Sequence, residues 1–243
     1  MCRLYTQNID GLDFQLGLPD EKLVNFHGCL AKVNCEFCKA PYDEEEFISE
    51  VRTKIKNIYD PDDAEAPKES SNILCKKCNR AGVKPNTVLF GRSIPAVVWE
   101  SIESDFPNQV DLILVFGTSL VVSPANTLVR MVNPGVPRVL VNREAVGAEV
   151  GLDFSGSGSD AFLEGDCDAG ALIMATELGW LDDLIKYKHL MCPASAEALD
   201  AALAREGATK DGASADPADV AVVSTTASVF RVEQVEAEGD LKP

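Results

Sequence analysis

The stretch VDLILVFGTSL, residues 110–120, decides the fold: an apolar run with a single charge at Asp111 breaks into Gly117-Thr118-Ser119. A continuous apolar run without polar alternation is the pattern of a strand covered on both faces, as in parallel sheets. In open α/β sheets ligands sit beyond the carboxyl ends of the strands. There a glycine lets backbone approach a phosphate or ribose, and Thr and Ser donate hydrogen bonds. A plain tight turn gives the same tripeptide, so both readings stay open. Downstream, 124–132 reads as a crossover helix and 138–141 as the next strand, which makes a βαβ unit. That strand runs into Asn142-Arg143-Glu144, at the same sheet edge, where Asn and Glu can bind ribose hydroxyls. Two adjacent strand ends carrying polar groups favour a nucleotide site. Residues 169–187 then show helical spacing of Leu172, Ile173, Ala175, Leu178, Leu181 and Leu184, which suits an amphipathic helix pair.

Upstream of the deciding run, 95–104 reads as a helix opened by Pro95 and 88–90 as a short strand. The opening CRLYTQNIDGLD, residues 2–13, is strand-like and enters a polar turn, and 23–28 is a short apolar approach to His27-Gly28. Between Cys35 and Cys78 the composition changes. A helix-like stretch at 43–55 is followed by DPDDAEAPKESSN, residues 60–72, which has too little to bury to offset the entropy of ordering and reads as a mobile insert. GLDFSGSGSD at 151–160 reads as a Gly/Ser loop. From 193 onward the chain is Ala-rich and acidic, and the whole of 191–243 reads as a disordered tail.

At 243 residues and 46% hydrophobic the chain can bury a substantial core. Its 22 basic and 39 acidic residues give a formal charge of -17, which repels a phosphate backbone and removes the driving force for nucleic-acid or anionic-membrane binding. A basic peptide is the better-matched partner. No apolar run of about 18 residues is present to span a bilayer, and residues 1–10 lack the apolar stretch of a signal peptide. Cytosol or nucleus is therefore the expected location, and sequence leaves the oligomeric state open.

Four of the eight cysteines form two C-x-x-C pairs, Cys35/Cys38 and Cys75/Cys78, which in a reducing compartment is metal spacing. Two knuckles complete a closed tetrahedral site with no open position, so the expected zinc is structural. The 36 residues between the pairs exceed zinc-ribbon spacing, and the acidic insert accounts for the excess. Four unligated thiols are the alternative. Cys2, Cys29, Cys167 and Cys192 read as ordinary thiols. His27 is either a general base near neutral pH or a structural imidazole, and His189, in KYKH, reads as solvated.

TQNIDGL, His27-Gly28, the two C-x-x-C pairs, VKPNTVLFG, GTSL, VNRE and GDCD occur in the order and approximate spacing of the sirtuin family. The chain resembles that family over residues 3–187, and FLEGDCDAGALIMATELGW is most similar to its cytosolic, class I deacetylases. The resemblance implies an α/β fold: a Rossmann-like parallel-sheet domain at 1–30 and 83–190, and a small zinc-ribbon lobe at 31–82. It implies an enzyme that uses NAD to remove acetyl or other acyl groups from protein lysines, giving nicotinamide and O-acetyl-ADP-ribose. By the same resemblance His27 is the base, with Asn8 also catalytic, and Gln7, Asn8, Ile9 and Asp10 line the nicotinamide and ribose pocket. Gly117, Thr118 and Ser119 bind phosphate and adenine ribose, Asn142, Arg143 and Glu144 the adenosine ribose, and Cys167 lies at the adenine. Acetyl-lysine peptides, histones or tubulin-like proteins among them, add as a strand along Val88, Phe90, Gly91 and Val121, with Phe90 beside the acyl-lysine tunnel.

Two departures stand out. The family's VFFGE is VLFGR here, which puts Arg92 where an acid is expected. The family's opening strand, its Gly-rich GAG turn and an Asp-Phe-Arg segment are absent, and Met1 falls near the expected third strand. The expectation is poor NAD binding by this chain alone. Two competing readings are a noncatalytic zinc-containing scaffold and a zinc-ribbon nucleic-acid binder, the latter disfavoured by the acidic balance.

Overall fold

The computed structural model describes residues 1–89 and 91–210, with side chains through Gly207. It divides the chain into two compact units, Met1–Val110 and the part from Asp111 onward. The boundary falls at the start of the deciding apolar run. It does not coincide with 30, 82 or 190, because strands from the two sides of the cysteine insert pair with one another.

The first unit begins with β1 (Leu4–Thr6), a one-turn helix α1 (Leu12–Gln15) and β2 (Leu23–Asn25), which pairs parallel to β1. β3 (Gly28–Cys35) and β4 (Pro41–Tyr42) lead into helix α2 (Glu44–Lys54). Sequence dictates the limits of α2. Asp43 caps it by accepting from the Glu46 N–H at 2.8 Å, Glu44, Glu45 and Glu46 occupy the positive end of its dipole, and Arg52 and Lys54 the negative end. Phe47, Val51 and Ile55, four residues apart, turn one helical face onto a small core of Val33, Tyr42 and Ile73. The acidic insert is tied by its C-terminal end to the end of α2, where Ser71 N–H donates to the Lys54 carbonyl at 2.7 Å and Lys56 N–H to Ser70 Oγ at 3.0 Å.

β5 is Val83–Thr87, antiparallel to β3. The strand expected at 88–90 is therefore displaced upstream, since β3 offers its ladder partners to residues 83–87. Val88 makes one further bond, from its N–H to the His27 carbonyl at 2.8 Å, and Phe90 lies outside the described residues. Helix α3 (Ala96–Asp105) follows Pro95. It ends on Asp105, an acid at the unfavourable end of a helix dipole. Arg3 from β1 compensates through Nε and Nη2 at 2.8 and 3.1 Å, and the Tyr5 hydroxyl donates at 2.7 Å.

The second unit carries a parallel sheet in the order β6 (Ile113–Phe116), β7 (Arg138–Asn142), β8 (Asp160–Glu164). Ile113 and Val115 pack toward Leu120, Val129, Val150 and Leu152, while Leu112, Leu114 and Phe116 are exposed. Coverage on both faces is thus corrected: β6 is an edge strand among the described residues, and only its odd-numbered side chains meet a core. The expected crossover helix at 124–132 is a 3-10 helix, Ala125–Arg130, in a segment whose Asn126, Thr127 and Val129 are weak α-helix formers. β8 begins inside the stretch expected to be a Gly/Ser loop. Asp160, its first residue, is drawn in by Arg138, first residue of β7, whose Nε and Nη2 reach its two carboxylate oxygens at 2.6 and 2.5 Å.

Helices α4 (Cys167–Glu177), α5 (Leu181–Leu184) and α6 (Pro193–Lys210) close the unit, with a 3-10 turn, Ile185–Leu190, between the last two. A disordered tail from 191 is corrected through residue 210, and 211–243 lie outside the described residues. The alanines that make this segment look low-complexity are the strongest helix formers. Leu199, 1% exposed, packs with Ala175 and Leu181, and Leu203 joins them. No helix among the described residues is long and apolar enough to cross a membrane.

Candidate functional site

The metal centre is the most fully determined feature. Each knuckle makes the same two backbone bonds, Cys35 N–H to Ala40 and Lys39 N–H to the Cys35 carbonyl in one, Cys75 N–H to Arg80 and Asn79 N–H to the Cys75 carbonyl in the other. Lys39 and Asn79, one step past each pair, are left-handed at φ 57 and 54. The repeated turn brings all four sulfurs within 4.8 Å of one another, with Cys35 to Cys78 at 3.7 Å and Cys38 to Cys75 at 3.6 Å. A zinc ion about 2.3 Å from each sulfur requires tetrahedral edges of about 3.8 Å, so the donors fit one structural zinc. N–H groups of Cys78 and Lys77 pull the Cys75 thiol down to about 6 and those of Cys38 and Phe37 lower Cys35, whereas Cys78, against the Arg80 N–H, is pushed up to about 11 by burial and by the other three sulfurs. A thiolate is the ligand form.

The second constellation lies beyond the parallel pair β1 and β2, whose carboxyl ends are adjacent. Residues 7–10 leave β1, and Phe26 and His27 leave β2. Phe26 is buried and donates its N–H to the Thr6 carbonyl at 3.0 Å, which fixes where His27 emerges. His27 Nδ1 stands 3.0 Å from the Gln7 carbonyl oxygen. A carbonyl can only accept, so Nδ1 carries the hydrogen and in the neutral ring Nε2 holds the free lone pair. Gly28, at φ +72, follows of necessity: a Cβ there would lie 1.8 Å from the Asn86 carbonyl oxygen. Asn8 and Asp10 are exposed. Asn8 N–H donates to Thr6 Oγ1 at 3.1 Å and Asp10 Oδ1 accepts from Leu12 N–H at 3.1 Å, while the Ile9 carbonyl accepts from Leu30 N–H at 2.8 Å. Val88 is tied to His27, Gly91 is exposed at φ +78, and Arg92 pairs with Glu36 of the first knuckle at 2.6 Å.

In the second unit the ends of β6, β7 and β8 open on one cleft of about 990 Å³ that Gly117, Asn142, Arg143 and Cys167 line. A Cβ at Gly117 would meet Cys167 Sγ at 2.9 Å, so glycine is what lets the end of β6 approach the start of α4. Asn142 Nδ2 donates to the Glu144 carbonyl at 2.9 Å, and Arg143 pairs with Asp166 at the mouth of α4. Thr118 Oγ1 accepts from Leu120 N–H at 3.1 Å. Thr118, Ser119 and Glu144 are not part of the cleft lining, and Val121 is exposed beyond the turn. Two contributors escape a sequence reading. One is the Gln7 main chain as the group that orients His27. The other is the segment around Met191 and Ser195, which lines the same cleft, and for which the Leu199/Leu203 spacing was the available signal.

A family model described as the Sir2 family matches residues 1–124. The chain is 36% identical over 182 residues to an NAD-dependent protein deacetylase, hst2-2, of Emericella nidulans, covering 74% of this chain and 45% of that protein. It is 32% identical over 206 residues to NAD-dependent protein deacetylase sirtuin-2 of Danio rerio, covering 78% and 50%. With NAD-dependent protein deacetylase sirtuin-3 of Mus musculus it shares 34% over 185 residues, covering 76% and 49%. The chain spans about half the length of these curated relatives.

Proposed function

Because the chain belongs to the Sir2 family, we propose that it takes part in NAD-dependent removal of acetyl or other acyl groups from protein lysines, with His27 as general base. The observation that carries this reading is the His27 Nδ1 bond to the Gln7 carbonyl, which leaves Nε2 as a proton acceptor of fixed direction. Bound NAD would supply a ribose carbon from which nicotinamide departs and to which the acyl oxygen adds. The part of this chain is to hold the two reactants and to take up a proton at Nε2. Gln7, Asn8, Ile9 and Asp10 would serve the nicotinamide and ribose end, with Asn8 also catalytic. Gly117, Thr118, Ser119, Asn142, Arg143, Glu144 and Cys167 would serve the adenosine end.

For the peptide, β5 is an edge strand among the described residues, so an extended substrate can add along it and on toward Val88; Phe90, Gly91 and Val121 would be further substrate residues. Glu36 meets the charge of Arg92, which lessens its repulsion of basic substrate flanks such as those of histones or tubulin-like proteins. All eight cysteines are unpaired, which fits a reducing cytoplasmic or nuclear setting.

The test is nicotinamide release from NAD with an acetyl-lysine peptide. Release that requires the peptide and falls at least a hundredfold in His27→Ala, with zinc content kept, is expected. Turnover unchanged by His27→Ala would contradict the reading, and peptide binding without any release would return the noncatalytic scaffold.

A further inference from the structure

The cleft beyond β6, β7 and β8 has two walls, and only one is made of the strand ends assigned above to adenosine. The other comes from the 3-10 turn and the start of α6, with Leu190, Met191, Cys192, Ser195 and Ala198 facing the same space. This wall is anchored. Leu199 is buried against Ala175 of α4 and Leu181 of α5. Lys188 reaches both carboxylate oxygens of Asp200 at 2.6 and 2.7 Å. The Ser195 hydroxyl donates to Asp168 in the first turn of α4. Cys167, the first residue of that same helix, completes the strand-end wall. The two walls are therefore held to one another by α4.

The two walls differ in chemistry. Asn142, Arg143 and Asp166 supply polar groups to the strand-end wall, whereas Leu190, Met191 and Ala198 give the other wall its apolar surface beside Cys192 and Ser195. The volume, about 990 Å³, lies near the top of the ordinary range for small-molecule sites, roughly 300–1,000 Å³. A ribose on the strand ends would leave the apolar wall free for a flat heteroaromatic ring, the surface a thioether contacts well.

We infer that residues 190–199 form the base-binding wall of the adenosine site, with Met191 against the ring, so that α6 is a nucleotide-contacting element. The inference rests on the NAD reading given above.

ADP-ribose, titrated into the full chain, tests it. Cys192 is exposed at this wall, and Cys2, also exposed, lies in the other unit and serves as internal control. ADP-ribose is expected to slow iodoacetamide alkylation of Cys192 at least fivefold and leave Cys2 unchanged. Ala198→Phe adds bulk at an exposed helix position that faces the cleft. It is expected to raise the ADP-ribose dissociation constant at least tenfold with an unaltered unfolding temperature, and Asn142→Ala is expected to weaken binding as well. If Asn142→Ala weakens binding while Ala198→Phe does not and Cys192 stays unprotected, this inference is overturned and the NAD reading stands. No binding of ADP-ribose to the unmodified chain even at millimolar ligand, where a weak site would fill, would overturn both.

Discussion

Around β3, β4 and β5 only Val33, Tyr42 and Ile73 are buried hydrophobics of one core, with four thiols beside them. In the unit of the β6–β8 sheet, by contrast, Leu140 and Val141 are fully buried, and two further clusters form around Leu120 and around Leu199. The difference teaches that the two regions are stabilised by different means. A small lobe with so little apolar burial needs a staple, and the zinc site is that staple; the sheet relies on packing and on the Arg138–Asp160 ion pair.

Removing the staple is the largest way to break the contrast. Cys75→Ser leaves three thiolates where four are needed, against a structural zinc whose binding is worth on the order of 10 kcal/mol. Loss of zinc from the purified variant, read by metal analysis, and an early unfolding transition confined to the lobe are expected. Gly28→Ala comes next, since its Cβ would be 1.8 Å from the Asn86 carbonyl oxygen at a left-handed φ. A loss of roughly 3 kcal/mol or more in unfolding free energy, read from denaturant curves, is expected, with zinc retained.

Asp105→Asn is the smallest of the three, about 2 kcal/mol for weakened hydrogen bonds to a charged group, and it carries a pH signature. Burial works to raise the Asp105 carboxyl, but Arg3 and Tyr5 outweigh it and hold the group below its usual range. A depressed carboxylate stabilises above its unfolded value of about 3.9, and that contribution fades as pH falls through the lower folded value. The gap between wild type and Asp105→Asn should therefore be full at pH 7 and close only in acid below about 4, as unfolding curves over pH can show.

How much was legible in the sequence follows the same divide. The four thiols could be found because a knuckle is local: the bonds of each lie within six residues, so spacing specifies the geometry of each pair. The parallel pair β6–β7 was legible from its apolar runs, yet nothing in such a run says what covers each face, so exposed Leu114 and Phe116 were not foreseen. His27 could be singled out from the His27-Gly28 dipeptide. Its orientation could not, since its partner is a main-chain carbonyl 20 residues away, and a main-chain partner leaves no mark on residue identity. Helix α6 is hard to read from sequence because alanine enrichment resembles low complexity, although Leu199 and Leu203 supply the face and alanine the propensity.

Amide hydrogen exchange before and after chelation of zinc reads both regions in one experiment. Amides of Val33 and Lys84, in β3 and β5, should lose protection, while those of Leu140 and Val141 in β7 keep theirs. Equal loss in both regions, or unchanged protection around the four thiols, would contradict the division between a metal-built lobe and a packing-built sheet.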